Sequence, residues 1–202
     1  MSLREHSIYD CIINNAHNFP EEIALVSGDF CLTYKELLLH VNSLSRGLLN
    51  KGFEKGDRIG VLLNNCSEYV LLMAACSRLG IIAVCLNTRT SADEMCKILQ
   101  QAKPKALIFQ KSYQQQAEKL RELNIHQQLY SIDEASILSS AFDELLDKDQ
   151  SPLFESQPTV DDGWLIIPTA AVDGIPKGAL LSQSNVIAAV DVHLHHFGRE
   201  AI

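Results

Sequence analysis

The 202-residue sequence predicts an α/β fold, a mostly parallel sheet with flanking helices. Three observations carry that prediction. Apolar runs of strand length recur at close intervals: RIGVLLN (58–64), IIAVCLN (81–87) and ALIFQ (106–110). Segments of helical spacing, with capping residues at their starts, lie between them. The runs are apolar almost throughout instead of alternating, as strands buried on both faces must be. Strand, helix, strand, helix, strand in succession then implies parallel strands joined by crossovers.

Taken in order, Ile8, Cys11, Ile12 and Ala16 recur at helical spacing over residues 7–18, and Pro20 stops the pattern. IALVSGDFCLTY reads as two short strands about a Ser-Gly-Asp turn. Thr33 and Glu36 form a T-x-x-E capping box, so a helix starts at Thr33. Leu37, Leu38, Val41, Leu44 and Leu48 give it one apolar stripe, and Gly52 is placed to end it. After the strand at 58–64, Ser67 is the expected cap of a helix over 68–79 that Gly80 terminates. Ser91 and Glu94 make a second box, opening a helix to about Ala102.

Beyond residue 111 the pattern weakens. A helix at 112–123, a strand near 128–132 and a helix near 139–147 are expected. The polar stretch 147–162, with two prolines, reads as a connector. A strand at 164–169, a loop, a strand at 178–182 and a helix from about Ser184 complete the order.

Composition narrows the function. Apolar residues make up 47% and charged residues 21%, as in an ordinary globular protein. A net charge of -8 argues against nucleic acid or an anionic membrane as the main partner. The start, MSLREHSIYD, is charged within five residues and has no apolar core, so no signal peptide is expected. Nor does any apolar run approach the ~20 residues of a transmembrane segment, and a cytoplasmic location is expected. Six cysteines (11, 31, 66, 76, 85, 96) form no C-x-x-C pair and read as small buried hydrophobes in a reducing compartment.

The candidate site is WLIIPTAAVDGIPKGALLSQSN, residues 164–185. Gripping a polyphosphate takes backbone N–H donors, small residues for close approach, hydroxyls and a cation. Thr169 keeps one hydroxyl, Gly174 frees the turn, Pro176 fixes the following bend and Lys177 supplies a positive charge. The Walker pattern G-x-x-x-x-G-K-[ST] is absent. On its own, such a turn is more often an exposed hairpin with a solvated lysine.

This stretch resembles the phosphate loop of AMP-forming acyl-CoA synthetases and other adenylate-forming ligases, T-S-G-T-T-G-x-P-K-G followed by Thr-His-x-Asn. Here it stands as TAAVDGIPKG, then LSQSN. LTYKEL (32–37) and KGFEKGDRIGVLLNNCSEYVLLMAACSRLGIIAVCLN (51–87) resemble that family's preceding segments, so the likeness spans nearly the whole chain. It implies that residues 1–202 are a single subdomain of the large N-terminal domain of an adenylate-forming ligase. The connector would lie near 147–162 and the phosphate-loop hairpin at 164–183. It further implies a small-molecule carboxylic acid, ATP, Mg²⁺ and CoA as reactants. It implies too a C-terminal domain outside residues 1–202, a missing part of the same chain expected as a required partner. Thr169, Ala170, Ala171, Val172, Asp173, Gly174 and Lys177 are the nucleotide-holding positions implied; no catalytic or metal-ligating residue of this chain is.

Departures from the family pattern matter. Ala170 and Ala171 replace Ser and Gly, Val172 and Asp173 replace two threonines, and Gln183 replaces a histidine. Each hydroxyl lost from a charged phosphate removes roughly 1.5–3 kcal/mol. Backbone amides and Lys177 would carry the grip, with Asp173 facing Mg²⁺ or its water. That depletion keeps a non-catalytic relative, a binding or interaction module, as the alternative. An unrelated doubly wound domain of flavodoxin type is a third reading, revived by a sheet lacking a strand pair around 170–177. HLHHF (193–197) reads as a solvated helix end, Asp57 and Arg58 as a turn with its ion pair, Gln114–Glu122 as a solvated helix and Trp164 as core.

Overall fold

The computed structural model describes residues 6–123, 128–133, 136, 139–149, 158–172 and 175–197. Its first half contains α1 (Ile8–Asn18), β1 (Ile23–Ser27), β2 (Phe30–Thr33), α2 (Tyr34–Asn50), β3 (Arg58–Leu62), α3 (Ser67–Leu79), β4 (Ile82–Cys85) and α4 (Ala92–Ala102). Then come β5 (Ala106–Phe109), α5 (Gln114–Glu122), β6 (Gln128–Ser131), β7 (Ser140–Ala141), β8 (Gly163–Val172), β9 (Ile175–Ser182) and α6 (Gln183–Phe197). β1 and β2 pair as a separate antiparallel ribbon, and the other strands form one sheet in the order β7-β6-β5-β3-β4-β8-β9. Every neighbouring pair in that sheet is parallel except β8 with β9.

Successive residues of a strand face opposite ways, and here both faces are apolar. Ile59, Val61, Ala83, Ala106, Ile108 and Tyr130 point into one core with α1, α2 and α3. Leu62, Val84, Leu107, Phe109 and Leu129 point into a second core with α4 and α5. Leu44, Leu48, Ile59, Leu62, Leu72, Leu99, Leu107 and Ile108 are each fully buried, a contribution of about 1.5–3 kcal/mol per side chain.

Helix starts follow local chemistry closely. Thr33 and Ser91 close the expected capping boxes with Glu36 and Glu94. Ser7 closes another with Asp10. Gly80, at φ +66°, ends α3 in the left-handed conformation that spares glycine a Cβ clash.

Several expectations need correction. Ser67 is the first residue of α3, not its cap: Cys66 holds that position without a side-chain bond, and the Ser67 hydroxyl donates to Glu68 Oε2 at 3.0 Å. In place of a helix near 139–147 the chain makes β7 and a short 3₁₀ turn, Phe142–Leu145. Phe142 and Leu145 are buried there, so this segment docks onto α2 without needing a full helical face. Residues 112–123 split into a 3₁₀ turn, Lys111–Tyr113, and α5. Asp57 and Arg58 do not pair with each other. Asp57 pairs with Lys105 Nζ at 2.5 Å, and Arg58 donates to the carbonyls of Ala102 and Lys103, closing the C-terminus of α4. Cys31 is exposed, unlike the buried Cys76 and Cys96. Of the connector, residues 150–157 lie outside the described residues, while 146–149 and 158–162 are irregular. No helix is long and apolar enough to cross a membrane among the described residues.

Gly47 shows where packing overrides propensity. On an exposed helix, Gly→Ala adds about 1 kcal/mol of stability. A Cβ on Gly47 would stand 1.8 Å from Leu145 O and 2.5 Å from Leu145 C. Backbone cannot yield there as a flexible side chain would. Gly47→Ala is therefore expected to destabilise the protein by about 2 kcal/mol, read as a lower urea midpoint. A midpoint equal to or above the wild type would show that the 142–145 turn does not bear on α2.

Candidate functional site

The candidate site stands on the antiparallel pair at one edge of the sheet. β8 enters parallel to β4, but only Leu165 and Ile166 have partners there, Ala83 and Val84. Past that point β8 has left β4 behind and is paired with β9 alone. Pro168, which has no N–H to give a ladder, falls in this one-sided stretch. The arm so formed projects from the carboxyl ends of the parallel strands, where open α/β sheets gather their ligands.

Two register shifts shape the arm. Between Gly163 and Leu165 the β8 strand gains one residue over β9, and Trp164 sits in that bulge. It is buried, and its indole N–H donates to Met73 O on α3 at 3.0 Å. Trp164 is thus core, as expected. Between Thr169 and Val172 a second shift occurs, because Thr169 faces Lys177 and Val172 faces Ile175. Ala170 and Ala171 therefore lie opposite the single Pro176, which has no N–H.

Of the sequence-expected residues, Thr169 and Lys177 are exposed and directly opposite each other. The Thr169 hydroxyl donates to Lys177 O at 3.1 Å. A threonine carries one hydroxyl hydrogen, so in this arrangement Thr169 offers an anion only lone pairs. The hydroxyl expected to face phosphate is committed to the hairpin itself. Ala170, Ala171 and Val172 belong to β8, not to a loop, and β9 starts at Ile175. The strands thus run further than the expected 164–169 and 178–182. Asp173 and Gly174 lie outside the described residues. A strand pair does flank this region, which removes the condition that would have revived the flavodoxin-type reading.

The arm is braced by α4. Gln101 Nε2 donates to Pro176 O at 3.4 Å, and Pro176 is buried. A cavity of about 220 Å³ opens between them, lined by Leu86, Asn87, Glu94, Pro168, Thr169 and Pro176, among others. That is below the ~300–1,000 Å³ of ordinary small-molecule sites. A larger cavity of about 570 Å³ lies by α2 and residues 143–149, including His40, Asp147 and Asp149. It is at the β7 side of the sheet, the opposite edge from β8 and β9.

Sequence reasoning missed Gln183. It stands where the resembling pattern has a histidine, and it is 1% exposed and turned into the protein. Its side chain bonds Ser77 and the backbone of Ile8. No local signal marks it, because both partners are distant in sequence. His193, His195 and His196 are exposed on α6. Among the described residues no group of three or more His, Cys, Asp or Glu side chains is placed to hold a metal ion.

Comparison with known proteins bears on the fold and the family. A family model described as AMP-binding enzyme matches residues 13–201. The 2-succinylbenzoate–CoA ligase of Oceanobacillus iheyensis is 28% identical over 154 residues, 76% of this chain and 29% of that protein. Tyrocidine synthase 1 of Brevibacillus parabrevis is 27% identical over 192 residues, 95% of this chain and 16% of that one. A solved structure from Rhodopseudomonas palustris CGA009, provisionally named a long-chain-fatty-acid CoA ligase, superposes with TM-score 0.86 at 29% identity. It is matched over 96% of this chain and 49% of its own. The chain thus spans less than a third of these two curated relatives and about half of that structure.

The entry to the arm carries a pH-dependent pin. Asp162, one residue before β8, accepts from Thr159 N at 2.7 Å and from Lys55 Nζ at 2.6 Å. The hydrogen bond from Lys55, aided by those from Thr159, holds its carboxyl below the usual range. A depressed folded pKa gives a contribution that is complete above the unfolded value and lost as pH falls through the folded one. Because the pair is partly exposed, Asp162→Asn is expected to cost only about 0.5–1 kcal/mol at neutral pH. The difference from wild type should shrink as pH drops below about 3.9, the unfolded carboxyl value. Urea denaturation at several pH values checks this; a pH-independent difference would detach the pin from the carboxylate charge.

Proposed function

Because the chain belongs to the AMP-binding enzyme family of adenylate-forming ligases, we propose that it is the N-terminal part of an ATP-dependent acid–CoA ligase. Such an enzyme activates a carboxylic acid, here a fatty acid, in two steps. The carboxylate oxygen attacks the α-phosphorus of ATP, the bond to the bridging oxygen breaks, and pyrophosphate leaves. A CoA thiol then attacks the acyl-adenylate carbonyl and expels AMP. On this reading residues 1–202 form one subdomain, and the hairpin at 164–183 grips the β- and γ-phosphates. The adenine, ribose and acyl contacts come from segments downstream of this hairpin in the whole protein, so this segment is inactive alone. A cytoplasmic location fits the reaction's reactants.

One observation carries the proposal: Lys177 is exposed on a projecting strand pair, opposite Thr169 and next to the bulge in which two alanines face Pro176. Small residues let a phosphate approach backbone amides, and an ammonium supplies charge-assisted hydrogen bonds about twice as strong as neutral ones. Two demands of the chemistry are in-line alignment of the attacking oxygen and neutralisation of the leaving pyrophosphate. Lys177 with the 170–174 backbone serves the second. The fatty acyl class is drawn from the name of the Rhodopseudomonas palustris neighbour.

A non-catalytic relative is the second reading, and the Thr169 bond favours it. With that hydroxyl donating to Lys177 O and its neighbours reduced to alanines, side-chain donors to phosphate are scarce.

Pyrophosphate exchange by the full-length protein, across a panel of fatty and aromatic acids, separates the two. The ligase reading expects exchange with at least one acid and heat of binding with Mg-ATP in calorimetry. A folded protein showing neither is a scaffold. Lys177→Ala is expected to raise the KM for ATP about tenfold or more, with the KM for the acid unchanged. An unchanged KM for ATP would take Lys177 out of the site.

A further inference from the structure

We infer that Gln183 is a positioning residue: a buried amide clamp that fixes where the phosphate hairpin leaves the sheet by tying it to the start of α1. This rests on the proposed ligase reading for its link to ATP, and on geometry alone for the clamp.

The clamp uses each side of one side-chain amide. Gln183 Oε1 accepts from the Ser77 hydroxyl at 2.6 Å and from Ile8 N at 3.0 Å. Gln183 Nε2 donates to Ser77 O at 3.1 Å. The Ser77 hydroxyl in turn accepts from Tyr9 N at 3.1 Å. Helices begin with four N–H groups that have no partner inside the helix. In α1 those of Ile8 and Tyr9 are met by Gln183 and Ser77, that of Asp10 by the Ser7 hydroxyl and that of the cap residue Ser7 by the Asp10 carboxylate. Half of the N-terminal cap of α1 thus comes from residues 68 and 175 positions away.

Gln183 is also the first residue of α6 and directly follows β9. β9 is the edge strand of the sheet, so it has a hydrogen-bonded neighbour on one side only. Its far end is braced by Gln101 on Pro176 O. Its near end is held at Ser182, which exchanges bonds with Asn185, and at Gln183. Lys177 lies on the strand between these two anchors. Releasing the near anchor frees the strand to slide or twist, and a displacement of about 1 Å at a reacting group can cost a hundredfold in rate. A buried amide left unpaired would also resist burial, so the clamp either closes fully or opens. Of the charged groups near these elements, Asp10 is bonded to Ser7, Arg78 to Tyr9 and Asn42, and Asp161 to Ser184.

The test compares Gln183→Leu, Gln183→His and Ser7→Ala in the full-length protein. Leucine removes every clamp bond. Neutral histidine keeps one donor and one acceptor, and loses the acceptor when protonated. Ser7→Ala weakens α1 through its local cap and leaves the clamp intact. Gln183→Leu is expected to raise the KM for ATP about tenfold, with the KM for the acid unchanged. It should also speed amide hydrogen exchange at Ile8 and Tyr9 together with that of 178–182. Gln183→His should match the wild type above about pH 7.5 and approach the leucine variant as pH falls below about 6.5, since a buried imidazole resists protonation and opens the clamp when it accepts a proton. Ser7→Ala should lower the melting temperature and leave the KM for ATP unchanged.

The inference is overturned if Gln183→Leu keeps the KM for ATP within about twofold of wild type, or if Ser7→Ala raises it equally. It is also overturned if the histidine variant shows the wild-type pH profile. Should Gln183→Leu fail to fold, the histidine variant at high and low pH carries the same comparison. Should the wild type show no exchange with any acid, the ligase reading fails. Amide exchange still decides the clamp: acceleration confined to α1 or to 178–182 alone would refute it.

Discussion

Burial of the central strands on both faces is the constraint on which the rest of this structure depends. Strands β3, β4 and β5 have no polar face to give to water. Ile59, Ala83 and Ile108 fill one core while Leu62, Val84 and Leu107 fill the other. Such strands need a helix layer on each side, and a chain that supplies one by crossing over returns parallel to where it started. All carboxyl ends then gather at one edge of the layer, and the segment emerging there is the one free to meet a ligand. Burial at about 1.5–3 kcal/mol per large side chain outweighs exposed ion pairs such as Lys119–Asp93 at 3.1 Å, which contribute about 0–1 kcal/mol. Those pairs decorate the fold and do not set it.

The β8–β9 arm is held by a different kind of force. Beyond Ile166 it has no partner strand in the parallel sheet, and Lys177, Gly178, Ala179 and Leu180 are exposed. Little apolar burial acts on it, so specific polar contacts fix its course: Gln101 to Pro176 O, Asp162 at its entry and Gln183 at its exit. These have direction, which hydrophobic burial lacks. An arm positioned by a few directional bonds suits a site whose other walls come from elsewhere. Thr169 spends its hydroxyl within the hairpin, so shape there comes from backbone pairing.

Much of the fold was legible because the signals are local. The Thr33 and Ser91 capping boxes are bonds across three residues, and the strands announce themselves as continuous apolar runs. Where the reading missed, longer range won. Ser67 looks like a cap, but Cys66 takes the extended backbone that a cap requires, with φ -152° and ψ 172°. Residues 139–147 have helical spacing, but Phe142 and Leu145 are buried against α2 and one 3₁₀ turn suffices to seat them. Arg58 and Asp57 are adjacent and opposite in charge, yet each finds a better partner in the chain around α4 and β5. In the candidate site, residue types were readable and their engagements were not. Nothing near Gln183 in sequence says that its amide faces Ile8.

The sequence by itself determined the alternation of elements, most of their caps and the two-faced burial of the strands. Each follows from interactions within a few residues or from the period of apolar side chains. Only the tertiary structure decided the strand order, the point where β8 outruns β4, the bulge opposite Pro176 and the partners of Thr169 and Gln183. Those depend on which distant groups arrive at hydrogen-bond distance once the core has closed. That is a property of the packed whole, which neighbours along the chain cannot encode.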